Sequence, residues 1–196
     1  MNQIKRVFLF FIFVVCSTFV VMADTSKAQA PADSFYDLTL KDLDGRSVDM
    51  AAYRGKVVLV VNVASYCGYT VQYGGLEKLH QEFAQRGFAV LGFPSNEYGA
   101  QEPGTPAEIR KFVTEKYGVT FPLFAKSVVS PGADQSPAFA LLGKSGKEPK
   151  WNFGKYLVGK DGKVIDLFSS DVTPESSKLR RAIEKALAVP GSPGKP

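Results

Sequence analysis

Residues 56–65 read KVVLVVNVAS, a valine-rich run that is apolar on both of its alternating faces. Successive side chains of an extended segment point to opposite sides, so a strand that is apolar at every position has to be covered on both. The run therefore predicts a buried central strand. In residues 70–86 that follow it, Leu76, Leu79 and Phe83 recur at helical spacing and Gly87 ends the pattern, which predicts an amphipathic helix. Residues 88–94 (FAVLGFP) then form a second buried strand. Strand, helix and strand in this order make a right-handed crossover unit with the two strands parallel.

The remaining segments arrange themselves around this unit. Residues 35–50 hold alternating apolar positions and an Asp44-Gly45 turn, which predicts a two-stranded hairpin. Thr105 as N-cap, Pro106 at the first helical position and Glu108 open a second helix that runs to Tyr117 and stops at Gly118. Residues 121–126 read as a short strand, and residues 130–149 as loop with one helical candidate at 139–142. Residues 153–158 and 163–168 flank Lys160-Asp161-Gly162 and predict a hairpin. Thr173-Pro174-Glu175 then opens a last helix with Leu179, Ile183 and Leu187 on one face. There is no internal repeat. The order describes a small α/β sandwich with a mixed central sheet flanked by helices, and it is similar to the thioredoxin-like fold. Order alone assigns no chemistry.

The ends of the chain read differently. Lys5 and Arg6 precede an almost uninterrupted apolar run over residues 7–22, and Ala23 follows as a small exit residue. This is the layout of a signal peptide over residues 1–23, and the run is shorter than the roughly 20 apolar residues of a membrane span. Export to the periplasm or outside the cell is expected, with an uncleaved anchor at residues 7–22 as the alternative. Residues 24–34 read as a flexible linker, 35–188 as the single domain, and 189–196 as a disordered tail rich in Pro, Gly and Ser. The chain has 24 basic and 19 acidic residues, so removal of Lys5 and Arg6 leaves 22 minus 19, or +3. The basic residues are scattered, which argues against nucleic-acid binding.

Of the two cysteines, Cys16 lies within the apolar leader, so the processed chain would keep Cys67 alone and could form no internal disulfide. Cys67 stands two residues past the central strand, followed by Gly68, at the carboxyl end of a strand where open α/β sheets collect ligands. A helix N-terminus just beyond it would favour thiolate over thiol. That placement favours a reactive thiol over an inert buried one.

Three segments carry a family resemblance. Asn62-Val63-Ala64-Ser65-Tyr66-Cys67-Gly68 resembles the active-site signature of glutathione peroxidases. Residues 91–104 (LGFPSNEYGAQEPG) resemble their second signature, and Lys150-Trp151-Asn152-Phe153 the third, so the likeness extends over roughly residues 35–188. The resemblance implies a catalytic tetrad of Cys67, Gln101, Trp151 and Asn152, with hydrogen peroxide or an organic or lipid hydroperoxide as substrate. The chemistry needs such residues. Cleaving an O–O bond takes a thiolate in line with it and donors for the departing oxygen, and the Gln101 and Asn152 amides and the Trp151 indole can donate without ionising. About 3% of an ordinary cysteine is thiolate at pH 7, so acidifying the thiol gains at most about 30-fold. Donors that strengthen in the transition state have to supply more.

Singly, each partner has a plainer reading: Trp151 as a core aromatic, Gln101 as a loop polar residue, Asn152 as a turn former. Together with Cys67 in the family's order they read as a site. His80, the only histidine, reads as a helix-packing residue. No Cys-x-x-Cys, metal-ligand cluster or phosphate-binding loop is present, so neither metal nor cofactor is expected. The chain also departs from the family. Ser95 stands where the second signature usually has cysteine and Glu97 where it has glutamine. In the second helix, where many relatives place a resolving cysteine, stands Phe112-Val113-Thr114-Glu115. Reduction of an oxidised Cys67 then falls to glutathione or another external thiol. The short stretch between Tyr117 and Trp151 implies, by the same resemblance, a monomer. Two other functions fit the fold: a redox carrier of thioredoxin type, disfavoured because it needs a dithiol, and a weakly active peroxide-sensing or binding protein.

Overall fold

The computed structural model describes residues 32–190; the leader, the linker up to residue 31 and the tail from residue 191 lie outside them. In chain order the elements are β1 (Thr39–Lys41), β2 (Ser47–Asp49), β3 (Val57–Val63), α1 (Gln72–Phe83), β4 (Phe88–Pro94), α2 (Pro106–Tyr117), α3 (Pro137–Gly143), β5 (Lys155–Val158), β6 (Val164–Phe168) and α4 (Ser177–Ala188). The four-stranded sheet has the order β4-β3-β5-β6, with β3 parallel to β4 and antiparallel to β5. A separate hairpin pairs β1 with β2 around Asp44-Gly45, where Gly45 takes the positive φ of +81° that the turn requires.

β3 is buried at every residue, and its alternation divides the interior in two. Val57, Leu59, Val61 and Val63 enter a core shared with Leu76 and Phe83 of α1. Ile109 of α2 and Leu179 and Ile183 of α4 belong to the same core. Val58 and Val60 enter the second core, with Phe35, Phe93 and Phe139 of α3. Each face of the sheet is thus covered, which is why β3 carries no polar residue before Asn62. Burying a single Val or Leu side chain contributes roughly 1.5–3 kcal/mol, so this doubly covered strand stabilises the fold from both of its faces.

Local signals place most of the boundaries. At α2, Thr105 Oγ1 accepts the Glu108 N–H while the Glu108 carboxylate accepts the Thr105 N–H at 2.7 Å, a reciprocal capping box. Gly118 closes the helix in the left-handed conformation at φ +64°. The helical candidate at 139–142 belongs to α3. Ser34 caps the 3-10 turn Phe35–Asp37 and donates to the Asp161 carbonyl at 3.0 Å, and Lys160 reaches the Val189 carbonyl at 2.7 Å. Residues 34 and 189 are thereby tied to the domain.

Two expectations are corrected. Residues 121–126 make isolated bridges, Leu123 to Gly92 and Phe124 to Asp42, in place of a strand, since the stretch never lies beside one neighbour for consecutive residues. α4 starts at Ser177 with Ser176 as its cap, not at Thr173-Pro174-Glu175: Ser176 Oγ accepts the Leu179 N–H at 3.2 Å. Both positions offer a capping hydroxyl, and packing of Leu179 and Ile183 into the core selects the later one.

Candidate active site

Cys67 lies in the turn that leaves β3. Thr70 organises this turn: its Oγ1 accepts the Cys67 N–H at 3.0 Å and donates to the Ala64 carbonyl at 2.8 Å, and its own N–H donates to the Cys67 carbonyl. The Tyr69 N–H points at Cys67 Sγ from 3.4 Å. Cys67 is only 9% exposed, while Tyr66 just before it and Val71 at the cap of α1 stand out at 70% and 72%. The expected helix terminus is displaced. α1 begins five residues after Cys67, and its cap position, Val71, makes no side-chain bond. The donor at the sulfur therefore belongs to the tight turn and not to the first turn of α1.

Gln101 comes from the loop between β4 and α2. Ala100 just before it holds a positive φ of 50°, unusual for a residue with a side chain and a sign that the surrounding structure dictates the bend. The Gln101 carbonyl accepts the Tyr66 N–H at 3.0 Å, which fastens this loop to the residue preceding Cys67. Its side-chain Oε1 accepts from Asn152 Nδ2 at 3.0 Å.

Trp151 and Asn152 sit on the turn that enters β5. This turn is docked on the end of β3: Asn62 Nδ2 donates to the Trp151 carbonyl at 3.1 Å, and the Phe153 N–H to the Asn62 carbonyl at 2.6 Å. Gly154 permits the approach, because a Cβ there would lie 2.7 Å from Pro149 and 3.0 Å from Asn62. Phe153 is the other residue with a side chain at positive φ, 65°, among the described residues. Fully buried Lys155 donates to its carbonyl at 2.7 Å, and desolvation lowers the Lys155 amine to about 7. The Asn152 carbonyl accepts from Ser170 Oγ at 2.6 Å, and its Nδ2 also reaches the Tyr98 carbonyl at 3.1 Å. The Trp151 ring is 39% exposed and lies 5.9 Å from that of Tyr98, whose hydroxyl donates to the Pro149 carbonyl at 2.7 Å.

Gln101 and Asn152 are thus in direct contact, Trp151 is held through Tyr98, and Cys67 is joined to them through the backbone of Tyr66. Three residues unremarked in the sequence have structural parts here: Thr70, Tyr98 and Glu102, the last fully buried and accepting from Ser65 Oγ at 3.1 Å. Ser65 and Glu102 lie within the first two signatures, so the signal was present as sequence without a role. His80 packs as expected, its Nδ1 accepting the Val90 N–H at 3.2 Å and burial lowering its pKa, so it serves as a neutral structural residue.

A hollow of about 410 Å³ opens beside Trp151, walled by Tyr69, Lys150, Ser169 and Lys178. The larger hollow, about 880 Å³, lies between α2 and the β1–β2 turn and is lined in part by Thr114. Among the described residues no group of His, Cys, Asp and Glu could hold a metal ion, and no helix is long and apolar enough to cross a membrane.

A mixed sheet with a cysteine on the turn between a central strand and the following helix defines a thioredoxin-like thiol protein. The same fold is seen in a thiol:disulfide interchange protein from Chlorobium tepidum, at 18% identity and a TM-score of 0.58 over 81% of this chain and 96% of that one. The crystal structure of Trgpx in apo form is nearer in sequence, at 38% identity, with a TM-score of 0.66 over 82% of this chain and 100% of that one. The sequence model of the family described as Glutathione peroxidase matches residues 35–143. A glutathione peroxidase-like peroxiredoxin of Schizosaccharomyces pombe is 48% identical over 158 residues, 78% of this chain and 98% of the relative. A hydroperoxy fatty acid reductase of Synechocystis is 44% identical over 149 residues, 76% of this chain and 96% of the relative. The chain belongs to the glutathione peroxidase family. It is a peroxidase that reduces hydroperoxides at the expense of thiols.

Proposed function

We propose that Cys67 is the peroxide-attacking thiolate, that Gln101 and Trp151 supply donors around it, and that Asn152, both of whose amide N–H groups are engaged, completes the site by orienting Gln101. One observation carries this reading: the three loops that hold these residues are hydrogen-bonded to one another, Tyr66 N–H to the Gln101 carbonyl and Asn152 Nδ2 to Gln101 Oε1. The thiolate attacks one peroxide oxygen, the S–O bond forms as O–O breaks, and the departing oxygen takes a proton and leaves as water or an alcohol. Cys67 becomes a sulfenic acid. Donors at the departing oxygen act where charge develops, and each is worth roughly tenfold or more.

The described residues contain one cysteine, and α2, with Phe112-Val113-Thr114-Glu115, holds none. An external thiol, glutathione or another, therefore attacks the sulfenic sulfur, releases water and leaves a mixed disulfide that a second thiol resolves. The exposed Tyr66 and Val71 on the segment that carries Cys67 favour an organic hydroperoxide over hydrogen peroxide alone, in keeping with the Synechocystis relative's name. The short segment between α2 and Trp151 supports a monomer. The charged start, apolar run and Ala23 exit of residues 1–23 support export with a mature chain starting near Asp24, which N-terminal sequencing checks.

The deciding experiment pairs Cys67→Ser with the parent protein, measuring peroxide consumption with glutathione and the mass after stoichiometric peroxide. The parent gains one oxygen, and a thiol adduct in its place when glutathione is added, while the variant folds and does neither. Retained turnover in Cys67→Ser would overturn the reading.

A further inference from the structure

Glu102 is a carboxyl group with no exposed surface, set one residue beyond Gln101. Its Oε2 accepts from Ser65 Oγ at 3.1 Å, and its N–H donates to Asn96 Oδ1 at 2.8 Å. The carbonyl of Gln101 accepts the Tyr66 N–H at 3.0 Å. Consecutive residues 101 and 102 thus clasp consecutive residues 65 and 66, and Cys67 is the next residue along. The other oxygen, Oε1, has no hydrogen-bond partner, and neither has the buried Tyr73 hydroxyl of α1.

We propose that Glu102 is a positioning residue for peroxide reduction: as a neutral acid it holds the Cys67 turn against the Gln101 loop, and its ionisation slows the attack. The inference rests on the reading of Cys67 as the attacking thiol. An ionised carboxylate buried with one unpartnered oxygen is disfavoured, and burial accordingly raises Glu102 to about 7, against the lowering by Ser65 and by Lys126. The groups that bear on it are few. Ser65 donates from the Cys67 turn, Lys126 is an exposed cation on the segment before α3, and Tyr73 faces it from α1. The Tyr73 hydroxyl is pushed up first by its own burial and then by the Glu102 charge. Above neutrality Glu102 becomes an anion bonded to Ser65, two residues before Cys67, whose sulfur must itself carry negative charge for the attack. The repulsion opposes both the thiolate and the charge that builds on the peroxide oxygens.

The test is the pH dependence of Cys67 oxidation by hydrogen peroxide, divided at each pH by the thiolate fraction read from its absorbance on the same protein. In the parent this quotient falls about threefold or more between about pH 6 and about pH 8.5, while in Glu102→Gln, a neutral isostere, it stays within about twofold. Superimposable profiles would overturn the proposal. Ser65→Ala is the second variant, keeping the carboxyl and removing the clasp; it slows oxidation about threefold or more at about pH 6. An unchanged rate in folded Ser65→Ala would equally overturn the positioning role. Turnover by Cys67→Ser would remove the reading beneath the proposal, whereas matching pH profiles would remove only the part assigned to Glu102.

Discussion

Asn152 Nδ2 donates to Gln101 Oε1 at 3.0 Å, so the amide from the loop after β4 and the amide from the turn before β5 are fixed by each other. The contact orients Gln101: with its oxygen engaged, its Nε2 is the end left to donate. Asn152 is in turn held by the Tyr98 carbonyl and by Ser170 Oγ, which bonds its backbone carbonyl. The Gln101 donor and the Asn152 amide that orients it therefore form a unit whose parts depend on one another.

That dependence sets the first prediction. Gln101→Ala and Trp151→Phe each slow Cys67 oxidation about tenfold or more, on the order of 1.4 kcal/mol. The cycle Gln101→Ala with Asn152→Ala is less than additive, because removing either amide already releases the other. Stopped-flow oxidation above and below the thiol's titration separates this from a change in thiolate fraction. Recovery of the parent rate at high pH would mean that the donors only acidify the thiol.

Tyr98→Phe keeps the ring that lies against Trp151 and removes the hydroxyl that donates to the Pro149 carbonyl at 2.7 Å. The expected cost is about 1 kcal/mol of stability, with slower oxidation of Cys67. Trp151 is the only tryptophan, so its fluorescence reports the local change directly. Unaltered emission and an unaltered rate would show that the 96–101 loop and the 149–152 turn do not need this link.

Stability should carry the Glu102 signature as well. Its folded pKa, about 7, lies above the ordinary glutamate value of 4.5, so its contribution is fully present below about pH 4.5 and is lost as pH rises toward 7. Glu102→Gln does not titrate. Denaturant unfolding should therefore show the variant gaining on the parent between about pH 4.5 and 7, by up to about 3 kcal/mol at pH 8, with the gap closing in acid. A difference that does not change with pH would mean that Glu102 ionises freely in the folded protein.

Much of the fold was legible because it rests on short-range chemistry. A valine run apolar on both faces announced β3, an Asp-Gly pair the first hairpin, and Thr105-Pro106 with Glu108 the start of α2. Signals that occur twice were ambiguous. Thr173 and Ser176 can each cap α4, and residues 121–126 could have paired as a short strand, so neither outcome was decided locally. The four residues proposed for the site were singled out through resemblance and chain order, not through any property of Gln101 or Asn152 taken alone.

By itself the sequence determined which elements form, where most of them begin and end, and which cysteine stands at the carboxyl end of the central strand. Tertiary structure decided the rest: that a tight turn and not the end of α1 faces Cys67 Sγ, that Gln101 bonds Asn152, and that Glu102 is buried at Ser65. The physical reason is range. Helix caps, turns and strand alternation depend on residues a few positions apart, whereas Ser65 with Glu102 and Gln101 with Asn152 are separated by 37 and 51 positions. They meet only because β3 and β4 pair in parallel and β5 docks antiparallel beside β3, which brings three distant loops to one end of the sheet.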